Sequence, residues 1–285
     1  MNRPSRVTLF SHQNVADTVD AVREIVDRLT AAGIEVLLPE DEADKHGIEP
    51  RDGVVTGADT AADTELALVL GGDGSILSAM RIFAGRPVPV FSFNYGAIGF
   101  LSSVDHGCLE DGIQRVLTGD FEVIGMPALA VAVDGRRRVG VNDISFHRRP
   151  DSRVAELEYS VAGEQLGKVR CDGLVVATPV GSTGYNLANG GPVLAWGVQG
   201  FVVSFIAPHT LTARALVVAP DDALTVLNLS DRDEVVVTTD GRPVMSLGPG
   251  RRTDVSFARE QVLLAQIPGS TFYRRFRDKF GRLAY

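Results

Sequence analysis

An apolar run that ends in a glycine-rich turn is the feature that most constrains the fold of this chain. Residues 66–70 (LALVL) are all apolar, which is typical of a strand that is buried on both faces of a parallel sheet. The turn at 71–75 (GGDGS) follows directly, residues 75–84 favour a short helix, and residues 88–93 (VPVFSF) favour a second strand. This order of strand, helix and strand predicts a doubly wound parallel sheet.

The segment before this run continues the same alternation. Residues 6–10 (RVTLF) and 35–38 (EVLL) favour strands. The apolar residues between 15 and 29 recur mostly at spacings of three and four, which predicts an amphipathic helix. Residues 41–64 are largely polar and favour a loop. We therefore expect an α/β domain over residues 1–120.

The pattern changes after about residue 120. Residues 129–133 and 139–144 flank Asp134-Gly135 and predict a β-hairpin. Further short strand candidates follow at 156–161, 169–177, 201–206, 224–229, 234–239, 244–247 and 262–267. These strands predict a β-rich second domain over residues 121–269, built as a sandwich or a folded-over sheet.

The chain ends in a helical pattern. Phe272, Phe276 and Phe280 are four residues apart, so they share one face of a helix within residues 270–285. We expect this helix to pack its phenylalanines back on the first domain.

Composition and charge argue against several classes of protein. Of the 285 residues, 45% are hydrophobic and 22% are charged, as in ordinary globular proteins. The chain has no run of about 18 apolar residues, so we expect no membrane helix. Its two cysteines are too few for a disulfide scaffold or a cysteine zinc cage, and its five histidines do not occur at HExxH spacing. The net charge of −8 argues against a nucleic-acid partner.

The N-terminal sequence enters a strand at once, without the apolar core of a signal peptide. We therefore expect a cytoplasmic protein that binds neither membranes nor nucleic acid.

The GGDGS turn has the properties of a phosphate-binding loop. Gly71, Gly72 and Gly74 would let the backbone approach an anion closely. The helix that starts near Ser75 would add free N–H groups and its positive dipole end. Because a carboxylate would repel phosphate unless it meets a metal or a hydroxyl proton, Asp73 is a candidate general base or magnesium contact. The alternative is a glycine turn in which Asp73 only caps the helix.

Three further motifs carry polar groups. Residues 171–185 run from a strand into a loop in which Ser182 and Thr183 are candidate hydrogen-bonding groups for a planar polar ligand. An ordinary strand connection is the alternative. Asn142-Asp143 suits ribose hydroxyls or a nucleobase edge, or else forms a plain turn. Residues 94–101 (NYGAIGFL) follow the next parallel strand and would lie at the same sheet edge as GGDGS, where open α/β sheets bind ligands.

Taken in this order, the motifs resemble those of the NAD kinase family. GGDGS, FNYGAIGFL, ND, RCDGLVVATPVGSTGYNLANGGP, APHTLTARALVV and DGR cover most of the chain. GGDG alone is shared with a wider kinase superfamily, whereas its combination with TPxGSTxY, GGP and PHxLxxR is specific. The resemblance implies an N-terminal α/β domain and a β-rich C-terminal domain. It also implies transfer of the γ-phosphoryl group of ATP to the 2′-hydroxyl of the adenosine ribose of NAD, which forms NADP.

The resemblance further implies roles for individual residues. Asp73 would act on the acceptor hydroxyl, and Gly71, Gly72, Gly74 and Ser75 would contact the phosphates of ATP. The residues expected to bind NAD are Asp73, Gly74, Asn94, Phe100, Asn142, Asp143, Arg170, Asp172, Ser182, Thr183, Gly184, Tyr185, Asn186, Ala188 and Arg242. Mg²⁺ would arrive with ATP, without a protein cage of metal ligands and without a tightly bound organic cofactor. A homodimer or homotetramer is expected, because family members often share the cleft between subunits.

Three positions depart from the family pattern. Val180 stands where Thr or Ser is frequent, Gly184 where Ala is usual, and Arg242 where Gln is often found. The first two affect the shape of the pocket and leave the choice between NAD and NADH open. Arg242 either contacts a phosphate or faces solvent.

Two other functions stay open on the residues alone. One is a kinase on the same scaffold with a lipid or a sugar phosphate as acceptor. The other is a sensor that binds NAD or NADP without turnover. The phosphate donor, ATP or polyphosphate, and feedback by NADPH also stay open.

Overall fold

The described part of the chain contains seventeen strands and six α-helices in the computed structural model. The strands are β1 (Arg6–Ser11), β2 (Glu35–Leu38), β3 (Val54–Thr56), β4 (Leu66–Gly71), β5 (Pro89–Asn94), β6 (Glu122–Val133), β7 (Arg136–Gly140), β8 (Asp143–Arg148), β9 (Ala155–Val161), β10 (Glu164–Cys171), β11 (Gly173–Ala177), β12 (Phe201–Ile206), β13 (Leu216–Val218), β14 (Leu224–Asn228), β15 (Val235–Thr239), β16 (Arg242–Leu247) and β17 (Arg252–Gln266). The helices are α1 (Val19–Ala31), α2 (Glu40–His46), α3 (Asp73–Ile82), α4 (Leu109–Thr118), α5 (Tyr185–Ala188) and α6 (Phe272–Phe280).

The chain divides into two units. Unit 1 comprises Met1–Gly125 and Val262–Tyr285, and unit 2 comprises Met126–Gln261. The chain passes from one unit to the other within β6 and again within β17. The structure describes residues 3–59, 63–96, 99–105, 107–133 and 135–281. None of the helices in these ranges is both long and apolar enough to cross a membrane.

Unit 1 contains a parallel sheet with the strand order β5-β4-β1-β2-β3. The end of β17 extends it, with Leu263 paired in parallel with Pro89 of β5. All six residues of β4 and all six of β5 are buried, as expected for central strands of such a sheet. The predicted parallel α/β arrangement is therefore confirmed.

Residues 41–64, predicted as a loop, contain most of α2 and all of β3. The buried residues of α2 include Glu42 and His46, so the usual apolar pattern does not mark this helix. Both side chains bind the hydroxyl of Ser11, which lies 2.7 Å from Oε2 of Glu42 and 2.7 Å from Nε2 of His46. Polar pairing thus replaces apolar burial, and the sequence prediction was wrong for that reason.

Unit 2 consists of antiparallel strands in two groups. One sheet has the order β13-β12-β11-β8-β15-β16. Strands β10, β9 and β14 and the first part of β17 form the second group. Side chains such as Phe146 and Leu174 of the first group and Leu157 and Val226 of the second share one apolar core. The predicted sandwich-like, β-rich build is confirmed.

One predicted strand of unit 2 is divided between the two sheets. Residues 169–177 form the end of β10 and all of β11, with Asp172 between them. Gly173 permits the close approach at this point, because a Cβ there would lie 2.2 Å from the carbonyl oxygen of Phe146.

The predicted hairpin is present, but its second strand is interrupted. β6 and β7 pair in antiparallel register, and Asp134 of the predicted turn lies outside the described residues. Residues 139–144 form the end of β7 and the start of β8, and Val141 and Asn142 lie in neither strand.

The packing of α4 provides a test of unit 1. Gly112 lies within this helix, and a Cβ there would lie 2.4 Å from Cε1 of Phe93 on β5. Alanine favours a helix over glycine by about 1 kcal/mol, but we expect Gly112→Ala to lower the free energy of unfolding by about 1–3 kcal/mol because of this overlap. Gly197→Ala is the control, since a Cβ at Gly197 meets nothing within 4 Å. Urea denaturation measures both variants, and an unchanged Gly112→Ala protein would contradict the described packing.

Candidate functional site

The GGDGS turn lies at the carboxyl end of β4 and packs on the turn that follows β5. Tyr95 donates its N–H to the carbonyl of Gly71 at 3.2 Å. A Cβ on Gly96 would lie 2.9 Å from Cα of Gly72. Asn94 is buried, and its Oδ1 accepts the N–H of Gly96 at 3.1 Å. Two of the predicted motifs therefore meet at one edge of the unit 1 sheet.

Asp73 is the first residue of α3 and accepts two backbone hydrogen bonds. Its Oδ2 accepts the N–H of Phe100 at 2.8 Å, and its Oδ1 accepts the N–H of Leu101 at 3.1 Å. A Cβ on Gly99 would lie 2.1 Å from Oδ1, so glycine is needed for this approach. Residues 97 and 98 of the same motif lie outside the described part of the chain. The carboxylate joins α3 to residues 100–101, and each oxygen keeps a lone pair for a further donor.

The first turn of α3 is open on its outer side. Gly74 is exposed, and a Cβ there would meet nothing within 4 Å. Ser75 folds back over the turn, because its N–H donates to the carbonyl of Gly72 at 3.0 Å. A Cβ on Gly71 would lie 2.6 Å from Oγ of Ser75. A helix start with small residues and an open side fits the oxygen atoms of a phosphate group.

In unit 2, the carboxylate of Asp240 holds the turn between β7 and β8. Its oxygens accept the N–H groups of Val141 at 3.1 Å, Asn142 at 2.7 Å and Asp143 at 3.2 Å. Asp240 also donates its own N–H to the carbonyl of Asp143 at 2.9 Å. Its φ of 46° lies in the left-handed region. The DGR motif in the sequence pointed only to Arg242, because Asp240 acts on residues up to 99 positions away.

The loop after β11 packs on the same turn. Thr178 donates its hydroxyl to the carbonyl of Val141 at 2.7 Å and its N–H to the carbonyl of Asn142 at 2.9 Å. A Cβ on Gly181 would lie 1.9 Å from the Asn142 carbonyl oxygen. Oδ1 of Asn142 is buried and has no hydrogen-bond partner among the described residues. An unpaired buried carbonyl is costly, so this atom fits a donor on a bound molecule.

Asp143 is buried close to the carboxylate of Asp240. Burial raises the pKa of Asp143 to about 7, and the negative charge of Asp240 contributes to the rise. A carboxyl group that titrates near neutral pH is able to donate as well as accept hydrogen bonds there. Perturbed carboxyl groups of this kind cluster at functional sites.

An aromatic pair lies near Asp143. Tyr185 stacks on His147, with ring centroids 5.8 Å apart and planes 12° from parallel. Nε2 of His147 lies 2.8 Å from the hydroxyl of Ser145, and burial lowers the pKa of His147. Burial, and then the charges of Asp143 and Asp172, raise the pKa of Tyr185. Tyr185 is 38% exposed, which leaves ring surface for a planar ligand. His147 was not predicted, although alternation on β8 puts it on the face of Asp143.

Ser182 and Asn186, predicted as ligand contacts, are fully buried and bind the protein itself. The Ser182 hydroxyl donates to the carbonyl of Pro179 at 2.7 Å and accepts the N–H of Leu194 at 2.9 Å. Nδ2 of Asn186 donates to the carbonyls of Ser182 at 2.9 Å and Pro192 at 3.0 Å. These bonds hold the loop in shape, and the contacts of Ser182 and Asn186 with a ligand stay predictions. Oδ1 of Asn186 is buried without a partner among the described residues.

Three more predicted residues lie in the same loop. Thr183 donates its hydroxyl to the carbonyl of Val180 at 3.2 Å. Gly184 and Ala188 are exposed at either end of α5. Gly184 directly precedes Tyr185, whose ring stacks on His147.

Three predicted charged residues of unit 2, Arg170, Asp172 and Arg242, are at least partly exposed. Oδ1 of Asp172 accepts a hydrogen bond from Nε of Arg148 at 2.7 Å. Arg170 pairs with Glu156 at 3.1 Å, and Arg242 is the exposed first residue of β16. Among the residues that the structure describes, no group of three or more His, Cys, Asp or Glu side chains is arranged to hold a metal ion.

Comparison with known proteins finds relatives over nearly the whole chain. A family model described as the ATP-NAD kinase N-terminal domain matches residues 7–121, and one described as the ATP-NAD kinase C-terminal domain matches residues 141–267. The NAD kinase of Gemmatimonas aurantiaca is 32% identical, with 97% of this chain and 96% of that protein covered. The NAD kinase of Symbiobacterium thermophilum is 35% identical, with 96% of this chain and 98% of that protein covered.

Two solved structures share the fold. Yeast NADH kinase in complex with NADH has a TM-score of 0.88 at 23% identity and covers 99% of this chain and 88% of its own. An NAD kinase from Archaeoglobus fulgidus in complex with ATP has a TM-score of 0.72 at 22% identity and covers 98% of both chains. At 23% and 22% sequence identity, the structural similarity establishes a shared fold and nothing further.

The raised pKa of Asp143 predicts how stability depends on pH. The folded protein keeps this proton up to about pH 7, whereas the unfolded chain loses it near its ordinary value of 3.8. The free energy of unfolding therefore falls as pH rises between these values, by at most about 1.4 kcal/mol per pH unit. We expect Asp143→Asn to remove this part of the slope, measured by urea denaturation from pH 4 to 8. Asp231→Asn, an exposed site, is the control, and an unchanged slope in Asp143→Asn would contradict the assignment.

Proposed function

Because this chain belongs to the ATP–NAD kinase family, we propose that it transfers the γ-phosphoryl group of ATP to the 2′-hydroxyl of the adenosine ribose of NAD. The observation that carries this proposal is the Asp73 carboxylate. It stands at the start of α3, is fixed by two backbone N–H groups, and keeps a lone pair on each oxygen for an acceptor hydroxyl.

The proposed reaction needs little covalent chemistry from the protein. The 2′-oxygen of the ribose forms a bond to the γ-phosphorus, the bond from that phosphorus to the bridging oxygen breaks, and ADP leaves. Asp73 orients the hydroxyl and accepts its proton. The N–H of Gly74, in the exposed first turn of α3, would donate to a phosphate oxygen, whereas the N–H of Ser75 is already bonded to the carbonyl of Gly72.

We propose that Mg²⁺ enters with ATP as part of that substrate, where it reduces the charge on the phosphates. Residues 71–75 contain one carboxylate, that of Asp73. This donor set fits an ion that is held mainly by phosphate oxygens and water.

For NAD, we propose a binding surface in unit 2 around Asn142 and Asp143. The unpaired Oδ1 of Asn142 accepts a hydrogen bond from the adenine or ribose, and Asp143 binds ribose hydroxyls. The Tyr185 ring, backed by His147, stacks on a planar ring of the dinucleotide.

Other residues complete this proposed surface. Thr183, Gly184 and Ala188 would contribute backbone contacts beside the aromatic pair. Arg170, Asp172 and Arg242 would contribute charge. For unit 1 we propose separately, on the family resemblance, that Gly74, Asn94 and Phe100 contact the acceptor beside Asp73. The yeast relative binds NADH, so NADH is tested below as an acceptor beside NAD.

We also propose that the chain forms a homodimer or homotetramer in the cytoplasm. Leu211 is 93% exposed, and Leu216 and Val217 are exposed on β13, the edge strand of the unit 2 sheet. Exposed apolar side chains on a sheet edge favour self-association. Both cysteines, Cys108 and Cys171, are free thiols, which suits a reducing compartment.

Light scattering coupled to gel filtration tests the assembly. We expect a mass of two or four chains for the wild type and a smaller species for Leu211→Asp. The same change at Ile82, an exposed apolar residue at the end of helix α3 and not on a sheet edge, is the control. A monomeric wild type would remove this part of the proposal.

The activity test is formation of NADP from NAD, ATP and Mg²⁺ by the wild type and by Asp73→Asn. We expect the variant to lose about 10²–10⁴-fold in kcat, because the acceptor hydroxyl loses its general base. Asp20→Asn is a matched control, since Asp20 is also a carboxylate in the first turn of a unit 1 helix. Thermal melting of both variants reports whether the fold is kept.

Three other outcomes separate the alternatives. NADPH formed from NADH at a higher kcat/KM would assign NADH as the preferred acceptor. Tight NAD or NADP binding without turnover would favour a sensor. Turnover only with a lipid or a sugar phosphate would replace the acceptor, and near-wild-type turnover of Asp73→Asn would remove Asp73 from the mechanism.

A further inference from the structure

The aromatic face of helix α6 packs on the side chain of Phe100. Phe272, Phe276 and Phe280 follow one another along the helix with ring centroids 6.0 and 5.0 Å apart. The Phe100 ring lies 6.1 Å from that of Phe272 and 5.7 Å from that of Phe280. Nζ of Lys279 lies 4.7 Å from the centre of the Phe100 ring. The Phe100 ring therefore contacts both the first and the last residue of α6.

A polar connection runs beside this aromatic cluster. Gln266, at the end of β17, is fully buried, and its Nε2 donates to the carbonyl of Leu101 at 3.1 Å. Its Oε1 accepts a hydrogen bond from Nη2 of Arg275 on α6, which also donates to the hydroxyl of Ser270 at 2.9 Å. Because the guanidinium offers only donors, it fixes the orientation of the Gln266 amide, with Nε2 toward Leu101.

Phe100 and Leu101 contact α6 and Gln266 on one side and the Asp73 carboxylate on the other. The side chain of Phe100 and the carbonyl of Leu101 face α6 and Gln266, whereas their N–H groups donate to the Asp73 carboxylate. Residues 100–101 are thus fixed from two directions. A displacement of this segment would carry the carboxylate with it.

We propose that Gln266, Arg275 and Phe272 are positioning residues for the reaction, which set the direction of the Asp73 carboxylate through the backbone of residues 100–101. The inference rests on the proposed function, since it assigns these residues to the site of Asp73. None of the three touches the reacting atoms; they act through Phe100 and Leu101. Phosphoryl transfer is sensitive to such positioning, because a displacement of about 1 Å costs about 10²-fold in rate.

The charge of Arg275 is consistent with this role. Burial lowers the pKa of Arg275, and the negative charges of Asp105 and Asp73 oppose that change. The guanidinium therefore interacts electrostatically with the carboxylate that it helps to place.

The test is Gln266→Glu, which keeps the length of the side chain and the acceptor for Arg275 but replaces the donor to the Leu101 carbonyl with an oxygen. We expect kcat to fall about tenfold or more, KM for NAD and for ATP to stay within about twofold, and the melting temperature to stay within about 3 °C. Amide hydrogen exchange at Phe100 and Leu101 should become faster. Gln114→Glu, an exposed site on α4, is the matched control.

A second pair of variants tests the aromatic contact independently of charge. Phe272→Leu should lower kcat in the same way and accelerate exchange at Phe100, because the Phe100 ring loses its stacked partner. Tyr273→Leu is the control, since the adjacent Tyr273 is 71% exposed. If Gln266→Glu does not fold, this pair decides the matter.

Each outcome bears on one claim. An inactive wild type would refute the proposed function, while the exchange rates would still report whether α6 holds residues 100–101. An active wild type with unchanged kcat in Gln266→Glu and Phe272→Leu would overturn the positioning role. A loss of kcat that comes with a large drop in melting temperature and faster exchange throughout unit 1 would also overturn it, because α6 would then only stabilise the fold.

Discussion

Both candidate sites depend on one kind of interaction, a carboxylate that accepts backbone N–H groups from a distant, irregular segment. Asp73 does this for Phe100 and Leu101, and Asp240 does it for residues 141–143. Neither segment lies in a helix or forms a regular strand throughout, so its N–H groups need partners outside secondary structure. Charge-assisted bonds are stronger than neutral ones and supply those partners.

These contacts require glycine at specific points. A Cβ on Gly99 would overlap the Asp73 carboxylate, and a Cβ on Gly181 would overlap the Asn142 carbonyl. The glycines of the motifs therefore serve the approach of one segment to another as much as the approach of a ligand. Sequence analysis assigned Gly71, Gly72 and Gly74 to phosphate binding and gave no individual role to Gly99 or Gly181, since a close approach within the protein leaves no local pattern in the sequence.

The parts of the fold that could be predicted are those with a local signal. The apolar run at 66–70 marks β4, and the spacing of Phe272 and Phe280 marks α6. α2 could not be predicted in this way, because its buried Glu42 and His46 are polar and bind the hydroxyl of Ser11. The motifs identified the family. They did not show the roles of Asp240 and His147, because Asp240 binds residues 141–143 and His147 stacks on Tyr185, and both contacts join segments that are distant in sequence.

Asp143 illustrates how such a site differs from ordinary packing. Its carboxyl group is buried near the carboxylate of Asp240, and its raised pKa means that folding disfavours its charged form. Asn142, the residue before it, holds a buried Oδ1 without a partner among the described residues. Asn142 thus carries an unpaired oxygen, and Asp143 carries a carboxyl group whose charged form burial disfavours. If the proposed function is correct, hydroxyl and amino groups of the dinucleotide donate hydrogen bonds to these oxygen atoms. Ligand binding then offsets part of the free-energy cost of burying them.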